Sequence, residues 1–187
     1  MTAPPPVLSV VVPMHNEAGH VAELMCEIVA ALADQGAFEI IAVDDGSRDR
    51  TFDELQAAQK VTAGLRLVRH QSNAGQSAAL ISGVLAAHGD WIVTLDGDGQ
   101  NDPADIKTLL AVCRAAPLAE TALYIVHRTQ RHESPAKIYA SRIANAVRGF
   151  VLGDATPDSG CGLKLLRRDL FLALPRFDAL HRFMPAL

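Results

Sequence analysis

Short aliphatic runs alternate along this chain with longer stretches in which apolar positions recur every three or four residues. The short runs cover residues 7–12, 38–43, 65–69, 91–95 and 122–126. Near-continuous apolar character over so few residues, rich in Val and Ile, predicts strands buried on both faces. The longer stretches, 17–35, 51–62, 76–88 and 103–115, predict helices. Asp102-Pro103 marks one helix start, a capping carboxylate followed by the residue whose fixed φ suits the first turn. This β-α-β-α order predicts an α/β domain with a mostly parallel, doubly wound sheet and helices on both faces. Linkers are short and no internal repeat or low-complexity tract interrupts the pattern. One domain over residues 7–187 is therefore expected, behind a flexible Pro-rich lead at 1–6.

Composition narrows the class. With 187 residues and 49% hydrophobic content, the chain can bury a real core. A net charge of −4 argues against a nucleic-acid binder or a polybasic membrane protein. Cys26, Cys113 and Cys161 lie far apart with no C-x-x-C, which argues against a disulfide framework or a structural zinc and suits a reducing cytosol. Cys26 and Cys113 read as small buried residues on helices. Cys161 sits in a Gly-rich loop and is not expected to be a nucleophile. The lead lacks the charged start of a secretory signal, and no run reaches 18 apolar residues, so neither export nor a membrane span is expected.

Ligands of open α/β sheets bind beyond the carboxyl ends of the strands. Those ends carry Pro13-Met14-His15-Asn16-Glu17, Asp44-Asp45-Gly46-Ser47, Asn73-Ala74-Gly75-Gln76, Asp96-Gly97-Asp98-Gly99-Gln100 and His127-Arg128. The fourth is the most informative. Two carboxylates and an amide carbonyl form an oxygen-rich set for a hard divalent cation. Asp96 and Asp98 are two apart, so an extended backbone would point them the same way. Gly97 and Gly99 remove bulk and let a ligand approach the backbone. A G-x-G-x-x-G fingerprint after the first strand and a Walker A loop are both absent, so bound phosphate would be neutralised by the cation and by Arg128 and Arg131. Asp44 or Asp45 can accept from a base N–H or a ribose hydroxyl; for one of them a capping role before Thr51 is an even alternative.

The ordered motifs V-V-V-P-x-H-N-E (10–17), V-D-D-G-S-x-D-x-T (43–51), N-x-G-x-x-x-A (73–79) and D-G-D-G-Q-x-D-P (96–103) resemble family-2 glycosyltransferases of the GT-A (Rossmann-like) fold. Within them the chain is similar to polyprenyl-phosphate glycosyltransferases related to dolichol-phosphate mannosyltransferase. Asp158-Ser159-Gly160-Cys161-Gly162-Leu163-Lys164 resembles the D-[ST]-G-x-[FG] loop of that subgroup. The resemblance implies that Pro13, His15, Glu17, Asp44 and Asp45 surround the nucleoside, with His15 where the family commonly has tyrosine. It implies that Asp96, Gly97, Asp98 and Gln100 face Mg²⁺ or Mn²⁺ and the donor diphosphate. Arg128 matches a phosphate-contacting arginine, while Arg131, Lys137 and Ser141 fall near the positions used for the acceptor phosphate. Asp158 and Asp98 would serve the reacting centre, Asp158 as base or as an orienting group.

The reaction implied is metal-dependent, inverting transfer of a sugar from a nucleotide diphosphate-sugar to a polyprenyl phosphate, at the cytoplasmic face of the inner membrane. Residues 135–153 form a candidate amphipathic helix, basic between its apolar positions, that either meets the membrane surface or packs on the sheet. Relatives continue beyond the last motif, so the chain resembles a catalytic domain truncated at its C-terminus. Two alternatives stay open: a family-2 enzyme acting on a sugar hydroxyl in cell-envelope polysaccharide synthesis, and a non-catalytic nucleotide-binding module.

Overall fold

The computed structural model describes residues 8–115, 123–125 and 161–184. The strands are β1 (Leu8–Met14), β2 (Phe38–Asp44), β3 (Leu65–Arg69), β4 (Trp91–Thr94), β5 (Leu123–Ile125) and β6 (Lys164–Arg167). The helices are α1 (Val21–Leu32), α2 (Thr51–Gln59), α3 (Gln76–Ala86), α4 (Asp105–Ala115), α5 (Arg168–Ala173) and α6 (Leu180–Phe183). The described strands form one sheet in the order β3-β2-β1-β4-β6-β5. β3, β2, β1 and β4 run parallel. β6 is antiparallel to both of its neighbours, β4 and β5.

All seven residues of β1 are buried, as its unbroken apolar run predicts for a central strand. Alternate side chains enter two cores. Val10, Val12 and Met14 join Ile40, Ala42 and Val93 under α1, α2 and α4. Val11 joins Ile41, Val43 and Ile92 under α3, α5 and α6. Helices thus cover both faces. Gly83 lets α3 lie close on β1, since a Cβ there would overlap the Val11 side chain. The connections reverse direction between β1 and β4, and the carboxyl ends of those two strands open a crevice at the edge where α3 begins.

The sheet is mostly parallel as expected, and β6, a strand the sequence did not suggest, takes the place beside β4; a four-residue strand with a charge at each end has no periodicity to read. Other expectations are corrected. α1 starts at Val21 and not at Glu17, because Asn16 has φ 58° and Gly19 φ 96°, outside the helical region. Cys26 is exposed on the outer side of α1, whereas Cys113 is buried as expected. The segment at 97–99 turns, so Asp96 and Asp98 do not share an extended backbone. Asp102 Oδ1 accepts from Ala104 N at 2.8 Å in the turn that leads into α4, which begins at Asp105 and not at Pro103. The candidate helix at 135–153 lies outside the described residues, and no described helix is long and apolar enough to cross a membrane.

Candidate active site

At the end of β1 the chain leaves the sheet through Asn16 and is strapped to the loop after β2 and the first turn of α2. Four successive backbone N–H groups donate to side chains there: Asn16 to Ser47 Oγ (3.0 Å), Glu17 to Thr51 Oγ1 (2.8 Å), Ala18 to Asp49 Oδ2 (3.1 Å) and Gly19 to Glu54 Oε2 (2.8 Å). Asn16 Oδ1 returns one bond, accepting from Arg48 N at 2.8 Å. His15 Nδ1 lies 2.8 Å from the Asp45 carbonyl, which can only accept, so Nδ1 carries the proton. Its Nε2 then accepts from Asn16 Nδ2 at 3.0 Å.

The two aspartates ending β2 are drawn into the fold. Asp44 is fully buried, with Oδ1 accepting from Ser47 N at 3.1 Å and Oδ2 3.1 Å from Arg69 Nε. Arg69 stacks over Phe52, 3.9 Å from the ring centroid. Asp45 Oδ1 accepts from Ala74 N at 2.9 Å and lies 2.6 Å from His70 Nδ1, while Oδ2 accepts from Gly75 N at 2.8 Å. These carboxylates organise the turns at 46–47 and 73–75 and neither caps the helix at Thr51, whose N–H is taken by Asp49 Oδ1 at 2.9 Å; Asp45 also lines the cleft. Gly46 is required there: φ is +66° and a Cβ would stand 2.5 Å from the Ser72 carbonyl carbon.

Asp96 and Asp98 project from the end of β4 into a cleft of about 230 Å³ whose other walls include Pro13, His15, Glu17 and Gln76. Asp96 Oδ1 accepts from Gln76 Nε2, the first residue of α3, at 2.6 Å. Gly162, just before β6, backs the same carboxylate so closely that any Cβ would overlap it. Thr94 Oγ1 holds that segment by donating to the Gly162 carbonyl at 2.7 Å. Gly97 packs against β1, where a Cβ would meet Pro13 O at 2.9 Å. Asp98 Oδ1 accepts from Gln100 N at 3.0 Å, while the Gln100 side chain is exposed and outside the cleft lining. Glu17 titrates above its ordinary value because it is partly buried and because Asp98 faces it, with Asp49 adding and His20 and His15 opposing.

Two carboxylates plus a neighbouring third are hard oxygen donors of the kind Mg²⁺ and Mn²⁺ take. Among the described residues no group of three His, Cys, Asp or Glu side chains is close enough to hold an ion alone. Two such carboxylates suit a cation that takes its remaining oxygens from phosphate and water. A second cleft of about 580 Å³ adjoins the first through His15 and Asn73, and Asn16, Ser47, Arg69 and Gln71 line it.

A family model described as "Glycosyl transferase family 2" matches residues 9–174. The chain belongs to glycosyl transferase family 2. It is 37% identical over 183 residues to an undecaprenyl-phosphate 4-deoxy-4-formamido-L-arabinose transferase of Pseudomonas aeruginosa, covering 97% of this chain and 53% of that protein. It is 36% identical over 188 residues to a dodecaprenyl-phosphate galacturonate synthase of Rhizobium johnstonii, covering 96% and 53%. The fold is of the GT-A type. Glucosyl-3-phosphoglycerate synthase from Mycobacterium tuberculosis, solved with Mn²⁺, UDP and glucosyl-3-phosphoglycerate, superposes with a TM-score of 0.71 at 21% identity, over 91% of this chain and 60% of that one. The chain spans about half the length of the curated relatives it matches.

The family-2 chain thus brings Pro13, His15, Glu17, Asp45, Asp96, Gly97 and Asp98 to one cleft. Arg128, Arg131, Lys137, Ser141 and Asp158 lie outside the described residues. Gln76 and Gly162, which meet Asp96 among the described residues, were not singled out by sequence reasoning. Both fall within motifs that are visible in the sequence, but neither motif says which residue turns towards Asp96.

Proposed function

We propose that this chain forms the donor-binding, catalytic part of an enzyme that transfers a sugar, with inversion, from a nucleotide diphosphate-sugar to a polyprenyl phosphate. The observation that carries the reading is the pairing of Asp96 and Asp98 in a cleft at the β1–β4 crevice. The relatives named for undecaprenyl and dodecaprenyl phosphate support the acceptor class. Asp96 and Asp98 would hold Mg²⁺ or Mn²⁺, with Gln100 as the further ligand the motif suggests. When bound, the cation supplies electrophilic stabilisation of the departing diphosphate. Gln76 fixes Asp96, and Glu17 stands beside Asp98 with its affinity for a proton raised. The adjoining cleft takes the nucleoside. The acceptor phosphate, with a second pKa of about 6, is already anionic at neutral pH, so Asp158 orients it more than it removes a proton. Because the acceptor is a membrane lipid, the enzyme works at the cytoplasmic membrane face.

The test is transfer from labelled UDP- and GDP-sugars, with Mn²⁺, to a short-chain prenyl phosphate. Label that passes into butanol supports the reading. Label passed only to a water-soluble sugar acceptor replaces it with a hydroxyl-acceptor enzyme, and nucleotide binding with no transfer to either replaces it with a binding module.

A further inference from the structure

The first turn of α3 carries two polar side chains with different partners. Gln76 is exposed at the cleft and grips Asp96. Ser77, next to it, is 3% exposed and meets His181 of α6, 104 residues further along the chain. Ser77 Oγ lies 2.8 Å from His181 Nδ1 and 3.4 Å from the His181 backbone N. Ser77 Oγ accepts from the His181 N–H and is hydrogen-bonded to Nδ1, as donor or as acceptor according to the ring tautomer.

The surroundings hold the imidazole neutral. Burial comes first, then the positive charges of Arg182 and Lys164, against a smaller opposite pull from Asp178; together they lower its pKa to about 4. Lys164 is the first residue of β6, and its ammonium donates to the Cys161 carbonyl in the segment that carries Gly162. His181 thus meets the α3 turn that carries Gln76, and it lies in the field of Lys164, whose ammonium is bonded to the segment that carries Gly162. Nothing in the donor-binding reading needs this histidine, and packing alone does not need its hydrogen bond.

We propose that His181 is a positioning residue for the metal–diphosphate site, clamping Ser77 so that the first turn of α3 holds Gln76 against Asp96. The inference rests on the reading of Asp96 and Asp98 as the donor-phosphate site. It locates control of that site in a segment far from it in sequence.

Calorimetric titration of UDP and of GDP, each with and without MnCl₂, tests it on wild type, Ser77→Ala, His181→Ala, His181→Asn and the double alanine variant. Both single alanine changes should weaken Mn²⁺-dependent nucleotide affinity by about tenfold or more, the usual cost of losing a group that orients a metal ligand. Metal-free affinity should not change. His181→Asn, whose side-chain amide can pair with Ser77 Oγ in place of Nδ1 whichever group donates, should recover most of the loss, and the double variant should be no weaker than either single. Unchanged Mn²⁺-dependent affinity, or equal losses with and without Mn²⁺, overturns the inference even where melting temperatures fall. If His181→Ala does not fold, Ser77→Ala decides, since it removes only a hydroxyl. A wild-type chain that binds neither nucleotide overturns the donor-site reading and the inference with it.

Discussion

Asp96 is held from two sides, by an amide from α3 and by a glycine at the mouth of β6. Its orientation is therefore a property of three elements. Gly162→Ala should act almost as severely on nucleotide binding as loss of a carboxylate, because its methyl group would occupy the place of the Asp96 side chain. Asp98→Ala should abolish Mn²⁺-dependent binding of UDP or GDP while leaving the melting temperature close to wild type, since Asp98 is part of a cleft wall and not of a core. Calorimetry on the two variants checks both outcomes. Glu17 supplies an independent probe. Its pKa is raised first by burial and then by Asp98, so Asp98→Asn should bring it part of the way back towards 4.5. Carboxyl-resolved NMR titration would read that shift, and no change would place Glu17 beyond the field of Asp98.

At the scale of elements, the edge opposite the cleft is bolted by one buried carboxylate. Glu39 of β2 accepts from Ser9 Oγ at 2.7 Å, from His88 N at 2.6 Å and from Arg66 at 2.8 Å. Burial by itself raises its pKa, but the bonds from His88, Arg66 and Ser9 outweigh burial and hold the carboxyl below its ordinary value. The folded pKa is therefore the lower one. The stability it contributes is present above the ordinary value of 4.5 and is lost as pH falls through the folded pKa. Glu39→Ala should cost about 1.5–3 kcal/mol, the range for hydrogen bonds to a charged group, because it strands the buried Ser9 hydroxyl and removes the acceptor of His88 N. Its urea midpoint should approach that of wild type below pH 4.5. A midpoint equal to wild type at pH 7 would show that the bolt contributes nothing. The elements that such contacts join were legible one by one wherever a run was long: β1, β2 and α3 lie within two residues of the periodicity reading. β6 was not legible, because four residues of mixed character become a strand only when β4 and β5 supply partners on either side.

For the whole molecule, membership of glycosyl transferase family 2 was readable from ordered motifs because each one ends a strand of the same sheet. The chain covers about half of each curated relative it matches. Asp158→Asn separates two roles. If Asp158 positions the acceptor, KM for a short prenyl phosphate should rise while the pH profile between about 5.5 and 8.5, spanning the second phosphate pKa, stays parallel to wild type. A loss of about 10²-fold in single-turnover rate that eases as pH rises would make it the general base instead.

Sequence alone determined what depends on local order. Apolar runs fix which segments bury themselves, and the motif at 96–98 falls at a strand end that lines the cleft, because strand ends in a parallel sheet share one edge. Only the tertiary structure decided how those atoms are held. Whether Asp45 faces a ligand or the N–H groups of Ala74 and Gly75 depends on where the 73–75 loop returns. That Ser77 meets a histidine 104 residues away depends on α6 folding back over α3. A periodic pattern records which way a side chain faces within its own element. The partner it meets is chosen when separate elements pack, and a hydrogen bond across that interface leaves no trace in the spacing of either segment.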